Sequence, residues 1–451
     1  MSRSSKDTGV RPYLDSFARF AKELPGNGAG WVDPLRREAI ARFEALGFPS
    51  THDEAWRYTS MRPIAEGRFE LHAATRGDVL TPEQFERLTF EPWECSHLVF
   101  VNGRYAPGLS TLRSLPAGLR VTSLAEALAT RRGSIEPHLG SGADASANAF
   151  VALNTAFLHD GAFVEVDPGT IVEEPIHLLF VSTPNGFDGM SHPRNLFVVG
   201  AGARITLAES YAGIDAERYL TNAVTEIVAG DGSVIDHYKL QRESRTAFHV
   251  ATLHAAAGRN ATISSHSITL GGALTRNDVI VALRGEGADC TLNGLYVADG
   301  RQHMDNHTLI DHEKPHGSSR QLYKGVLDDQ ARGVFDGTVI VRPDAQKTDA
   351  RQENRNLLMS EDALVDSKPT LLIHADDVKC SHAATIGQLD EDALFYLRAR
   401  GIGAEAARSL LTQGFVSEIL QRVRVEAVRA GLECLLFMQL PHHPHAAVRR
   451  P

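Results

Sequence analysis

A mainly β protein with helical ends is predicted by three observations. Between residues about 151 and 385 the chain breaks into short β-rich pieces, among them "AFVEV", "IHLLFV", "NLFVVG", "ARITLAES", "SVIDHYKLQ", "DVIVAL" and "GTVIVRP". Each alternates or carries a short Val/Ile/Leu run, with Gly, Asp or Asn recurring between them. No amphipathic helix of about 10–15 residues separates these pieces, which excludes an alternating βαβ fold. Helical runs occupy the first ~90 residues and those after about 388, and residues 97–150 are mixed. A sandwich, a barrel or a β-solenoid remains. Single-Gly and polar corners such as "GDGS" and "GEGA" favour a solenoid, in which each rung stacks on the last, although no strict repeat is visible.

At the N-terminal end, Asp33-Pro34 reads as an N-cap and N1 pair ahead of "LRREAIARFEAL", with Gly47 closing the helix at C′. "DEAWRYTSMRPI" follows, with Trp56 and Tyr58 as its expected packing anchors. Thr81 to Gln84 forms a capping box, and Ser123 to Glu126 a second one. Between these lies the strand-like "HLVFVNGRY"; a Gly/Ser/Ala-rich loop occupies 140–148. Beyond residue 388, "DEDALFYLRAR" starts at Asp390 and stops at Gly401, and "AEAARSLLTQ" is expected to stop at Gly414. "VSEILQRVRVEAVRAGLECLL" then sets Val416, Ile419, Leu420, Val423 and Ala427 on one face. This divides the chain into a mainly helical region (1–150), a β core (151–387) and a helical domain (388–451) that serves either as a docking platform or as a cap over the end of a solenoid.

Composition narrows the function. Hydrophobic content of 43% and charged content of 23% belong to a soluble globular chain with a sizeable core. A formal net charge of -10 argues against general nucleic-acid binding. No stretch reaches ~18 uninterrupted apolar residues, and the first residues lack a signal-peptide core, so no membrane and a cytoplasmic location are expected. Four cysteines, at 95, 290, 380 and 434, build neither a disulfide scaffold nor a zinc ribbon. Cys95, Cys290 and Cys434 read as small buried hydrophobes.

The candidate chemistry is sparse. No P-loop, no strand-to-helix GxGxxG and no G-x-S-x-G elbow occurs. "QHMDNHTLIDHEKPH" holds His303, His307, His312 and His316 with Asp305 and Asp311, a mixture that suits metals. In a strand 303 and 307 share a side but 307 and 312 do not, so hydrogen bonds to turns and neighbouring rungs are the plainer reading. Asp328-Asp329 and Asp376-Asp377 raise the alternative of a β-helical carbohydrate-active enzyme. Adjacent strand residues face opposite ways, however, which makes a poor acid pair. "ADDVKCSHAAT" is more specific. At i, i+2 in an extended segment, Cys380 and His382 share a face about 6–7 Å apart, and both ligate iron. Two ligands are too few for a cluster, which points to a site shared with another subunit.

"SHPRNL", "LTNAVTEI", "GGALTRND", "LNGLYVADGRQHMDNHT", "SRQLYKGVLD", "VFDGTVIVRPDAQKTDARQENRNLL" and "ADDVKCSHAATIGQLDEDALFYLRARGI" together resemble the SufB/SufD family of iron–sulfur cluster assembly proteins. The resemblance runs from about 150 to 420, "WRYTS" also fits, and the stretch after "DDVKCSHAAT" is similar to the SufD branch. It implies a right-handed parallel β-helix with terminal helices that dock the ABC-type ATPase SufC. It also implies a β-helix pairing with SufB, within a non-catalytic scaffold that makes clusters at the shared interface. His382 matches the proposed ligand there and Cys380 its neighbour, with a transient iron–sulfur cluster or iron as cargo, a flavin in the complex being allowed. Because ligands must be deprotonated, cluster loading is expected to weaken at low pH. Alone, such a chain can pair its open edges as a homodimer. Two departures stand near the site: Leu372 where a carboxylate is usual, and Ala383 where the family has Gly. The tail "PHHPHAAVRRP" lies outside the resemblance; its three histidines could bind metal adventitiously, but disorder is the expected reading.

Overall fold

The protein is described here by a computed structural model covering residues 3–24, 29–71, 80–89, 95–184, 187–214 and 218–439; the histidine-containing tail lies outside them. The N-terminal helices are α1 (Arg3–Glu23), α2 (Asp33–Leu46), α3 (Arg62–Ala65), α4 (Pro82–Leu88), α5 (Leu124–Thr130), α6 (Arg132–Ile135) and α7 (Ala149–Ala156). Short strands interleave with them: β1 (Glu70–Leu71), β2 (Ser96–Val101), β3 (Arg104–Tyr105) and β4 (Leu119–Ser123). Then come β5 (Ala162–Val166), β6 (Ile176–Ser182), β7 (Gly189–Ser191), β8 (Arg194–Val199), β9 (Arg204–Gly213), β10 (Tyr219–Ala229), β11 (Val234–Arg242) and β12 (Phe248–Ala257). The later strands are β13 (Thr262–Thr269), β14 (Leu274–Leu283), β15 (Asp289–Ala298), β16 (His303–His312), β17 (Ser318–Leu327), β18 (Arg332–Val341), β19 (Asp349–Leu358), β20 (Leu364–Ile373) and β21 (Lys379–Gly387). The chain ends in α8 (Glu391–Ala399), α9 (Ala404–Leu420) and α10 (Glu426–Gln439).

The strands form two facing sheets that the chain visits alternately. One runs β20-β18-β16-β14-β12-β10-β8-β5-β4, with β7 and β1 beside it; the other runs β21-β19-β17-β15-β13-β11-β9-β6-β2-β3. The pairs between successive rungs are parallel, as between β14 and β16 or β19 and β21. This is a parallel β-solenoid with helical flanks.

The corners show why this sequence stacks. Gly202, Gly232, Asn260, Gly287, His316 and Lys347 all adopt positive φ, between 53° and 69°. Each donates its N–H to a carbonyl of the next rung's corner: Gly202 to Asp231, Gly232 to Arg259, Asn260 to Glu286, Gly287 to Pro315, His316 to Gln346 and Lys347 to Asp377. "GDGS" and "GEGA" supply two of these left-handed positions, where a missing Cβ removes the strain. Between the sheets lies an apolar core that includes Ile205, Ile235, Ile263, Val281, Phe335 and Val339.

Helix boundaries follow local chemistry, not always as expected. Thr81 and Gln84 complete their capping box. Gly47, at φ 65°, closes α2 by donating to the Phe43 carbonyl. Asp33, in contrast, is already helical at φ -61°, because its carboxylate accepts from Arg36 at 2.6 Å instead of capping. Ser123 accepts from the Glu126 N–H, but the Glu126 carboxylate turns to the Thr122 hydroxyl, so only half the second box forms. Gly414 does not stop its helix. α9 runs through it to Leu420, and the break falls between Leu420 and Glu426. What carries α9 past the glycine is burial of Val416, Ile419 and Leu420 against Tyr238, Leu240, Ile268 and Leu322 on the outer face of the second sheet. The C-terminal helices thus cover the flank of the solenoid rather than its end.

Two buried histidines and a half-buried one are expected to make the fold acid-sensitive. Burial pushes His159 down to about 4, His192 to about 3 and His312 to about 4. The unfolded chain takes up protons at these rings from about pH 6.5, before the folded chain does, so stability is lost as pH falls from about 6.5 toward 4. A loss on the order of 1–2 kcal/mol per ring by pH 5 is expected. It would be read as a lower urea midpoint at pH 5 than at pH 7, and equal midpoints would contradict this account.

Candidate functional site

Cys380 and His382 stand on the last strand of the second sheet. Register defines where they point. Ile205, Ile235, Ile263, Cys290, Ser319, Ala350 and Cys380 pair in one column across successive rungs. Its members Ile205 to Ala350 are buried in the apolar core or beside it. The next inward column runs Leu207, His237, Ser265, Leu292, Gln321, Gln352 and His382. Both side chains therefore belong to the inward set of the terminal rung, and among the described residues no further strand pairs beyond it. Cys380 is half-buried against the core and His382 is exposed. Burial pushes the Cys380 thiol above its ordinary range, which a backbone hydrogen bond with Ala350 partly opposes. Beneath His382, Gln352 is buried and hydrogen-bonds Gln321 at 2.9 Å, which gives the imidazole a fixed floor.

The two departures fall on the other face. Leu372 pairs with Ile340, and Ala383 with Glu353, both in outward columns. Neither shares the side occupied by Cys380 and His382. Leu364, Leu372, Ile373 and Ile386 are exposed around this end, where the outer edges of β20 and β21 leave backbone groups open to pairing.

The remaining sequence candidates are structural. His303 bonds the Thr59 hydroxyl at 2.9 Å, His307 meets Asp305 at 3.0 Å, His312 bonds Ser319 at 2.9 Å, and His316 is a corner residue. The histidines of this segment thus go to separate partners. Asp376 accepts from Gln346, Asp377 pairs with Lys347, and Asp329 is a positive-φ corner next to buried Asp328. Trp56 is an anchor as expected, stacked on Phe150 with the Arg276 guanidinium 3.8 Å from its ring centre; Tyr58 is exposed instead. Cys95 and Cys290 are buried, whereas Cys434 is exposed on α10.

Sequence reasoning missed the charge hub on α9. Glu418 meets Lys324 of β17 at 2.5 Å and Arg355 of β19 at 3.2 Å, and Arg422 of its own helix at 3.4 Å. These cations, with the Lys324 hydrogen bond first among the causes, hold its carboxyl below the usual range. No local spacing announces this: the partners lie far apart in the chain. α8, further along the same flank, exposes Phe395 and Tyr396.

Comparison with known proteins agrees with this architecture. Residues 180–415 match the family described as SUF system FeS cluster assembly, SufBD core domain, and residues 8–178 match the SufBD protein N-terminal region. The likeness thus extends well before residue 150. An iron–sulfur cluster assembly SufBD family protein of Synechocystis is 35% identical, with 88% of each chain covered. The iron–sulfur cluster assembly protein SufD of Escherichia coli is 30% identical over 90% of this chain and 93% of that one. SufD of Bacillus subtilis is 26% identical over 96% and 98%. With both domains matched and such relatives aligned along nearly their whole length, this chain belongs to the SufB/SufD family of iron–sulfur cluster assembly proteins.

Proposed function

We propose that the chain is a non-catalytic scaffold subunit of the SUF machinery. It pairs through its terminal rung with a SufB-type β-helix, and Cys380 and His382 furnish part of the ligand set for nascent iron or an iron–sulfur cluster. α8 to α10 receive a SufC-type ATPase. The observation that carries this reading is the placement of a thiol and an imidazole, two residues apart, on the inward face of an uncapped rung. Thiolate and imidazole are iron ligands, and two of them form half a site. Open parallel edges rimmed by exposed Leu364, Leu372, Ile373 and Ile386 suit a partner that continues the stack. Exposed Phe395 and Tyr396 offer the apolar anchors a docked ATPase would bury.

The test is co-expression with SufB- and SufC-type partners, followed by anaerobic reconstitution with iron and sulfide. A ternary complex with iron–sulfur absorbance is the expected result. A chain that binds neither partner and stays colourless would overturn the reading.

A further inference from the structure

The two rungs beneath His382 carry glutamines in its own column. Gln321 of β17, Gln352 of β19 and His382 of β21 pair in register, one above the other. Both glutamines are buried. Gln321 donates from Nε2 to the Thr308 hydroxyl at 2.6 Å, and Gln352 donates from Nε2 to Gln321 Oε1 at 2.9 Å. The polarity of this file is thereby set. Reversing the Gln352 amide would bring its carbonyl against that of Gln321, acceptor to acceptor. Space is set as well: a Cβ on Gly337, in β18 of the facing sheet, would fall 2.3 Å from Gln352 Nε2.

One atom of the file is left over. Gln352 Oε1 is buried and accepts no hydrogen bond among the described residues. With Nε2 directed at the rung below, Oε1 on the other branch of the amide faces the rung above, as in any ladder of stacked amides. That rung offers few donors. Pro369 has no N–H, the Ser367 hydroxyl is given to Asn354 at 2.8 Å, and Ala384 and Ile386 are apolar. Cys380 stands in the neighbouring column, over Ala350, whereas His382 stands over Gln352 itself. We propose that Gln352 is a positioning residue for His382. Its Oε1 accepts the N–H of one ring nitrogen and so leaves the other, with its lone pair, for iron. The imidazole is exposed in the free chain and turns onto the amide about its own side-chain torsions. Histidines that ligate metals give their second ring nitrogen to such an oxygen, which fixes both tautomer and ring orientation. A neutral amide orients the ring without adding charge beside the cargo. The proposal rests on the reading of His382 as a ligand and does not make Gln352 one.

The experiment labels the full-length protein with ¹⁵N-histidine and reads the ring nitrogens of His382 by NMR at about pH 8.5, where imidazoles are neutral. The signal is identified by its loss in His382→Ala. A single tautomer is expected in the unsubstituted chain, with one protonated and one bare nitrogen well separated in shift. Gln352→Met keeps the length of the side chain and removes the acceptor, and is expected to pull both shifts toward a common average. In the complex reconstituted with SufB- and SufC-type partners, the same variant is expected to form clusters about tenfold more slowly, with urea unfolding to show that it is folded. Ring shifts unchanged by Gln352→Met would overturn the proposal. So would an unsubstituted His382 that already averages between tautomers, a result that needs no variant to fold. Should His382→Ala build clusters normally, the ligand reading fails, and the ring shifts still decide whether Gln352 holds the imidazole.

Discussion

His382→Ala is expected to reduce cluster formation by the reconstituted complex at least tenfold, to the level without this subunit, while the chain folds and binds its ATPase partner as before. No neighbour can substitute. The other inward residues of β21 are Cys380, Ala384 and Ile386, and the buried Gln352 amide donates to Gln321 while its neutral carbonyl oxygen is a poor iron ligand. On the proposed reading of a site shared by two subunits, removing this ligand leaves too few donors to hold iron. Stability should hardly move, because His382 is exposed and exposed substitutions stay within about 0.5 kcal/mol. Anaerobic reconstitution followed by visible absorption, with thermal unfolding alongside, separates the two effects. A variant that builds clusters at the normal rate would remove His382 from the ligand set.

The largest stability effect is expected at Glu226. Its carboxylate is buried and meets the buried Arg194 guanidinium at 2.5 Å. It also accepts from the N–H groups of Gly140, Gly142 and Ala143, so a single side chain ties the Gly/Ser/Ala-rich loop to β10. Arg194 in turn donates to Asn154 and Thr155 of α7. Glu226→Ala leaves a buried cation without its partner and three backbone donors unsatisfied, a loss of about 3–5 kcal/mol. The arginine and the loop amides, by their charge and hydrogen bonds, hold the carboxyl below its usual range against burial. Glu226→Gln keeps the shape and part of the hydrogen bonding, and should fall between wild type and alanine. Urea unfolding of the three proteins measures the series, and an alanine variant as stable as wild type would contradict it.

What could be read from sequence divides along physical lines. Positions whose meaning is local were legible: the Thr81–Gln84 box, the Gly47 closure, the glycine corners, and the shared face of Cys380 and His382, which follows from a strand period of two. Whatever depends on another rung was not. The Arg194–Glu226 pair, the Thr59–Asp305 bond at 2.6 Å and the Glu418 hub join residues far apart in the chain, and each exists only because the stack brings them together. The same explains Gly414. Its helix propensity argues for a stop, but the sheet surface under Val416 and Ile419 outweighs the roughly 1 kcal/mol cost of an interior glycine. Asp33 and Glu126 were misplaced for a smaller reason: each found a better hydrogen-bond partner within three or four residues than the one its motif assigns.

The alternation of the chain between two sheets also sets an order in time. His303 pairs with Arg332 and Ala350 with Cys380, steps of about 30 residues, so each rung needs only its predecessor as a template. A chain emerging from the ribosome can add rungs one at a time from the N-terminal end, with helices α1 to α7 already covering the first of them. The strand bearing Cys380 and His382 is the last to be laid down. A truncated or stalled product would therefore carry solenoid but neither Cys380 nor His382, and the nascent protein would present its proposed half-site only when the platform beneath it is finished.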